Sequence, residues 1–239
     1  MPFELRRGPG GVVRVGHRGA AALAPENTLA AIEAAAVVGV DAVEVDVLLR
    51  TDGRLVIAHG PAVPGDAPLL DDALELVARL GLAVQLDVKI EGTHVGIADA
   101  LARYDLLGRA FVSSFSLPIL RGFAAAAPDL PRSLSYPEDR LGVSQRRLSQ
   151  ATIRPALALL RALAPHRLPG WLRAANVQAA TLNWAIASPA AVDACHASGV
   201  AVFAWTVNEA ALANTLVASG VDGIITDDPR ILLPAVPAS

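Results

Sequence analysis

Short runs rich in β-branched residues alternate along this chain with longer runs of alanine and leucine at helical period. The first kind covers 12–16 (VVRVG), 42–49 (AVEVDVLL), 83–90, 110–114, 132–136, 177–182, 201–207 and 223–226. These eight are predicted strands, mostly apolar as expected of a parallel sheet covered on both faces. A ninth run, RLVIAH at 54–59, is predicted to fold back on 42–49 across the turn Thr51-Asp52-Gly53. Helices are predicted at 27–38, 70–80, 94–104, 117–126, 152–164, 188–198 and 209–219, with a short one near 231. Thr28 or Asn27 suits the cap of the first helix, Ser188-Pro189 starts the sixth, and Asn208-Glu209 starts the seventh. Gly39, Gly81, Gly199 and Gly220 stand just past helix ends, where a left-handed residue is wanted. Eight βα units predict an α/β fold, a (β/α)₈ TIM barrel with an extra short strand after strand two. The rival, a doubly wound open sheet, usually carries G-x-G-x-x-G after strand one, and GHRGAA lacks that spacing. The segment 137–175 is the least regular.

Composition narrows this further. At 239 residues the chain fits one barrel domain, 1–239, with a core over about 12–230. Hydrophobic residues make up 53% and aromatics 4%, so the core must be built mainly from Ala, Val, Leu and Ile. A net charge of −3 gives no global pull towards nucleic acid, and none is expected as a partner. The lone Cys195 excludes an internal disulfide. No apolar signal region opens the sequence and no uninterrupted apolar run reaches spanning length, so a cytoplasmic location is expected.

The polar residues gather at the predicted strand ends, where barrels of this kind carry their chemistry. His17-Arg18 ends strand one, and Glu44 and Asp46 lie one residue apart in strand two. His59 ends the extra strand, Asp87 and Lys89 lie in strand three, Trp205 and Asn208 end strand seven, and Thr226-Asp227 ends strand eight. Alternate strand residues share a face, so Glu44 and Asp46 point the same way about 6.5 Å apart. Two inward carboxylates need a neutralising partner. Either a hard cation held by oxygen ligands, Mg²⁺ or Ca²⁺, or an ion cluster with Arg18 and Lys89 would serve. His17 and His59 have the ordinary pKa for acid or base work on a phosphodiester, and Arg18 suits a phosphate. His94, His166, His196 and Cys195 carry no comparable signal. Asp227 either fixes the turn after strand eight or faces the site, and Asn27 either caps a helix or contacts substrate.

The set HRG (17–19), PENT (25–28), E-x-D (44–46), TDG (51–53), His59, D-x-K (87–89), AWTVN (204–208) and DGIITDDP (222–229) resembles the glycerophosphodiester phosphodiesterases. The resemblance implies a barrel that hydrolyses glycerophosphodiesters to sn-glycerol 3-phosphate and an alcohol. It also implies a divalent cation, Mg²⁺ or Ca²⁺, with Mn²⁺ as an alternative. It casts His17 and His59 as the acid/base pair and Glu44, Asp46 and Asp87 as metal ligands. Arg18 and Lys89 fall to the phosphate, and Trp205 flanks the glycerol. Three features depart from the family pattern: Gly60 follows His59 in place of an aspartate, Asp87 replaces a glutamate, and the insertion after the second histidine is cut to about a dozen residues, 60–71.

Two other readings stay open on the sequence. One is a lysophospholipase D-like phosphodiesterase acting on lipid-sized substrates, which the short insertion would admit. The other is a non-catalytic barrel that binds a glycerophosphate. The segment 154–173, with leucines, Trp171 and several basic groups, is compatible with peripheral membrane contact, but an ordinary outer helix is the favoured reading. The sequence leaves the oligomeric state open.

Overall fold

A computed structural model describes residues 3–6, 11–60, 62–137 and 150–233. The strands are β1 (Val13–Gly16), β2 (Ala42–Leu49), β3 (Leu55–Ile57), β4 (Ala83–Val88), β5 (Ala110–Ser114), β6 (Arg132–Tyr136), β7 (Ala179–Asn183), β8 (Ala201–Trp205) and β9 (Gly223–Thr226). The helices are α1 (Leu29–Val38), α2 (Leu70–Leu80), α3 (His94–Arg103), α4 (Leu117–Ala126), α5 (Gln150–Ala175), α6 (Pro189–Ala197) and α7 (Ala210–Ala218). Strand order runs β1-β9-β8-β7-β6-β5-β4-β2-β3, and β1 also pairs with β2. That last pairing closes eight parallel strands into a TIM barrel. β3 stays outside the barrel, antiparallel to the far end of β2 through Val47↔Ile57 and Leu49↔Leu55.

The strands alternate as their pleat requires. Val43, Val45 and Val47 point outward into the core shared with α1, α2 and α3. The inward positions change character along the barrel axis. At the amino ends Val13, Val15, Ala42, Ala83, Phe111, Ala179, Ala201 and Phe203 form an apolar plug, and Phe3 stacks on Phe111 with ring centroids 6.2 Å apart. Towards the carboxyl ends the inward residues turn polar: Glu44, Asp46, Gln85, Asp87, Ser113, Ser133, Ser135 and Thr181, all buried. A polar interior layer must satisfy itself. Gln85 donates to Ser113, Ser113 donates to Asp87, and Ser133 bonds Thr181.

Most predicted ends hold. Thr28 and Ser188 cap α1 and α6 through their hydroxyls, and Gly39 and Gly81 take left-handed conformations past α1 and α2. Some differ. β3, β4 and β8 stop at Ile57, Val88 and Trp205, each two residues short of the expected 59, 90 and 207, and the helix expected at 152–164 extends to Ala175 despite Pro155, Pro165 and Pro169. Proline normally breaks a helix interior. Here Ala164, Leu168, Leu172 and Ala175, at helical spacing, are buried against the barrel, so packing overrides propensity. Part of the irregular segment, 138–149, lies outside the described residues.

Gly16, the last residue of β1, and Gly19, in the turn after it, are glycines that the fold cannot replace cheaply. A Cβ on Gly19, whose φ is +84°, would lie 2.6 Å from the Ala31 backbone of α1. One on Gly16 would lie 1.9 Å from the Gly19 carbonyl oxygen. The bare backbone lets α1 press against the strand end that bears His17 and Arg18. Gly19→Ala is therefore expected to lower unfolding free energy by about 2–3 kcal/mol in urea titrations. Gly53→Ala, at a similar φ but with nothing within 4 Å, should lose only about 1 kcal/mol.

Candidate active site

The site is built on the parallel register of β2 and β4. Asp46 stands directly opposite Asp87, and Glu44 is one inward step below on β2. Oxygens of Glu44, Asp46 and Asp87 lie within 4.8 Å of one another. Lys89 Nζ, just past the end of β4, reaches Asp46 Oδ1 at 2.5 Å and Asp87 Oδ2 at 3.3 Å. The two cations Lys89 and Arg18 hold Asp46 below the usual carboxylate range although burial opposes this. Glu44 has no such partner. Burial and the Asp46 charge push it up to about 7, and burial also raises Asp87. This wall of the barrel holds more negative charge than its side chains neutralise.

The loop between β1 and α1 answers part of that charge. The Arg18 N–H donates to Glu44 Oε2 at 2.9 Å, and its guanidinium Nε lies 3.1 Å from Asp46 Oδ2. That buried Nε–H makes no directed hydrogen bond. Arg18 Nη1 also donates to Glu26 Oε2 at 2.5 Å, and Glu26 Oε1 lies 3.8 Å from His59 Nδ1. Asn27 is buried and grips Asp46 twice. Its Nδ2 donates to Oδ2, and its Oδ1 accepts from the Asp46 N–H, both at 3.0 Å. Arg18 and Asn27 have φ values of +50° and +54°, left-handed conformations that cost non-glycine residues energy. The contacts to Glu44 and Asp46 hold that strained loop in place. PENT thus divides its labour: Glu26 to Arg18 and His59, Asn27 to Asp46, Thr28 to the helix.

His17 faces both ways. Its Nδ1 is 2.6 Å from Asp227 Oδ1, just past β9, and its Nε2 is 3.9 Å from Glu44 Oε2. Burial opposes ionisation of Asp227, but the hydrogen bond and charge of His17, with Asn208 and Arg18, together hold its carboxyl below the usual range. An ionised carboxylate only accepts, so Nδ1 carries the proton and Nε2 is left for chemistry. Asn208 fixes Asp227 in turn, donating to Oδ2 at 2.5 Å and accepting from the Asp227 N–H at 3.0 Å. Burial pulls the His17 pKa down, but Asp227 and Glu44 prevail and the net shift is upward. His59 shifts the other way, lowered chiefly by burial. A cleft of about 450 Å³ opens beside His17, lined by Arg18, Glu26, Asn208 and Asp227.

All the charged residues that the sequence singles out therefore meet at the carboxyl ends of the strands. Trp205 sits on the same face at the end of β8, its Nε1 donating to the Thr181 carbonyl and its ring edge-on to Phe115 at 5.9 Å. Glu26 is an addition, since its place before Thr28 disguised it as part of a helix cap. Asp227 serves the site through His17 as well as preceding the turn. Cys195 is buried in α6, and burial pushes its thiol up to about 12, which leaves no thiolate to act as a nucleophile.

Residues 17–65 and 90–231 match the model of the glycerophosphoryl diester phosphodiesterase family. The chain belongs to that family. A glycerophosphodiester phosphodiesterase of Caldanaerobacter subterraneus is 27% identical over 93% of this chain and 96% of its own length. A solved Oleispira antarctica phosphodiesterase, in complex with the product sn-glycerol-3-phosphate, superposes with a TM-score of 0.71 at 22% identity, covering 91% of this chain and 93% of its own. The Agrobacterium tumefaciens glycerophosphodiester phosphodiesterase gives 0.71 at 20% identity over 92% and 98%. Asp87 and Lys89 fall between the two matched stretches. Their membership of the site rests on the β2–β4 register and on the contacts of their side chains with Asp46 and Glu44.

In Asp227→Asn the His17 ring keeps its burial and loses its charged partner. Its pKa is expected to fall, read by NMR titration of the imidazole nitrogens. An unchanged value would remove Asp227 as the group that sets the state of His17.

Proposed function

We propose that this chain, an enzyme of the glycerophosphodiester phosphodiesterase family, hydrolyses glycerophosphodiesters to sn-glycerol 3-phosphate and an alcohol with a divalent cation and histidine acid/base catalysis. The observation that carries this is the meeting of three buried carboxylates with an Asp227-oriented His17 at one barrel mouth.

The donor set fits a hard cation. Glu44, Asp46 and Asp87 supply only oxygens, close together, and burial with the Asp46 charge pushes Glu44 up to about 7. These chain features favour Mg²⁺ or Ca²⁺ over metals that seek nitrogen or sulfur. Such an ion, when bound, supplies Lewis-acid polarisation of the phosphate and a template for the glycerol hydroxyls.

The remaining steps belong to the side chains. Arg18, with its undirected Nε–H, and Lys89 offset charge developing on the phosphate oxygens. The opposite pKa shifts of the two imidazoles divide their work. His59, the more easily neutral ring, takes the proton of the nucleophile, which is water or the substrate's own 2-hydroxyl, the cyclic phosphate formed in the second case being opened by water to sn-glycerol 3-phosphate. His17, the more easily protonated ring, gives a proton from Nε2 to the leaving alcohol oxygen while Asp227 stabilises the imidazolium. Trp205 walls the glycerol side.

Glycerophosphocholine, glycerophosphoethanolamine and glycerophosphoglycerol assayed with Mg²⁺, Ca²⁺ or Mn²⁺ should yield sn-glycerol 3-phosphate, and chelation should abolish the yield. Silence on all three would refute the reading. His17→Ala and His59→Ala are each expected to lose about 10²–10⁴ in kcat. Cation binding must expel the Glu44 proton, so affinity measured by calorimetry should fall about tenfold per pH unit below pH 7. A pH-independent affinity would show that Glu44 is not a ligand.

A further inference from the structure

Gln85-x-Asp87 follows the period of a strand, so an amide and a carboxylate enter the barrel from one face of β4. Gln85 is 2% exposed, and its Oε1 has no hydrogen-bond partner among the described residues. Folded interiors leave few buried acceptors bare, because each has given up water for nothing. Turning the amide over would not help. Its Nε2 donates to Ser113 Oγ at 2.9 Å, and Ser113 Oγ donates its single proton to Asp87 Oδ1 at 2.8 Å. With Oε1 facing Ser113, that one proton would have two claimants, and either the amide or Asp87 would go without. The direction amide to hydroxyl to carboxylate is the one that keeps Asp87 supplied, and it leaves Oε1 bare.

Each acid of the wall has one oxygen held by an uncharged donor. The Arg18 backbone N–H holds Glu44 Oε2, Asn27 Nδ2 holds Asp46 Oδ2, and Ser113 holds Asp87 Oδ1. The first two donors come from the loop between β1 and α1. The third comes from inside the barrel, with Gln85 behind it. The other oxygen of Asp87, Oδ2, meets Lys89 Nζ at 3.3 Å, a looser contact than the 2.5 Å one from Lys89 to Asp46. Not every hydroxyl of the layer serves an acid. Ser133, beside Ser113 in the β5–β6 register and equally buried, bonds Thr181 at 2.7 Å.

We propose that Ser113 and Gln85 are positioning residues for the cation site, holding Asp87 by Oδ1 so that it offers the ion Oδ2 alone. A hydroxyl that accepts from an amide gives its own proton more strongly, so Gln85 acts on Asp87 through Ser113. Mg²⁺ demands ligands fixed in near-octahedral places, whereas Ca²⁺ accepts a carboxylate by one oxygen or by two. Fixing Asp87 therefore favours Mg²⁺, and freeing it harms Mg²⁺ more than Ca²⁺. Both roles rest on the reading of Glu44, Asp46 and Asp87 as a cation site.

Calorimetric titration of the cation-free protein with Mg²⁺ and with Ca²⁺ separates the possibilities. Ser113→Ala should weaken Mg²⁺ about tenfold and Ca²⁺ less, while Ser113→Thr, which keeps a hydroxyl, should bind close to wild type. Gln85→Met fills similar space without an amide. It should weaken Mg²⁺ by a smaller factor, and it reads the same chain of bonds if Ser113→Ala does not fold. Because Gln85 works only through Ser113, the double variant should bind no more weakly than Ser113→Ala. Ser133→Ala, which also deletes a buried hydroxyl, should lower the melting temperature and leave Mg²⁺ affinity unchanged. A wild type that binds neither cation would sink the metal site of the catalytic reading and this proposal with it. If the wild type binds Mg²⁺, any of four results overturns the positioning role alone. These are wild-type affinity in both Ser113→Ala and Gln85→Met, equal losses for the two cations, additive losses in the double variant, or an equal Mg²⁺ loss in Ser133→Ala.

Discussion

Asp46 and Asp87 face each other across a parallel strand pair, with Glu44 one inward step away. The register leaves no way to separate these carboxylates, and burial makes their charge expensive. Much of the mouth is arranged around that constraint. Lys89 bridges the two aspartates, Arg18 reaches over Asp46, and Asn27 clamps it from the β1–α1 loop. The left-handed Arg18 and Asn27 and the bare backbone of Gly16 and Gly19 follow from fitting that loop against the acidic wall and α1 at once.

The barrel interior changes from apolar to polar along its axis. A plug centred on Phe111 and Phe203 fills the amino half and needs no hydrogen bonds. The carboxyl half is a layer of polar side chains that bond one another and Asp87, with the Gln85 Oε1 left without a partner. With aromatics at only 4% of the chain, the few phenylalanines are concentrated where volume is wanted. The split lets the site be wet and charged without a void beneath it.

The barrel and the charged centre of the site were legible in the sequence because both rest on period-two patterning. Glu44-x-Asp46 announces two inward acids on one strand, and Asp87-x-Lys89 offers a third with its counterion. His17 and His59 follow apolar runs that must be strands. What hid was whatever acts across long sequence separation while also suiting a local role. Glu26 sits where a helix start wants polar residues, and Asn27 passes equally for a cap. Asn208 lies near the start of α7, yet its side chain is spent on Asp227, 19 residues away. α5 hid for a different reason. Three prolines argue against a helix locally, and only the buried stripe from Ala164 to Ala175, which needs the rest of the barrel to exist, decides otherwise.

β3 gives the two imidazoles unequal anchorage. His17 is fixed at the end of a strand paired on both sides within a closed barrel, and its N–H is tied to the Thr226 carbonyl. His59 follows a three-residue strand outside the barrel, whose far edge meets, among the described residues, one bridge, Val56 to Leu69. Beyond it, Gly60 at φ +102° has open space around it. The second ring can therefore be repositioned by changes confined to 62–69 while the pairing of the eight barrel strands stays intact. Substrate breadth in this scaffold has a part that can drift and a part that cannot.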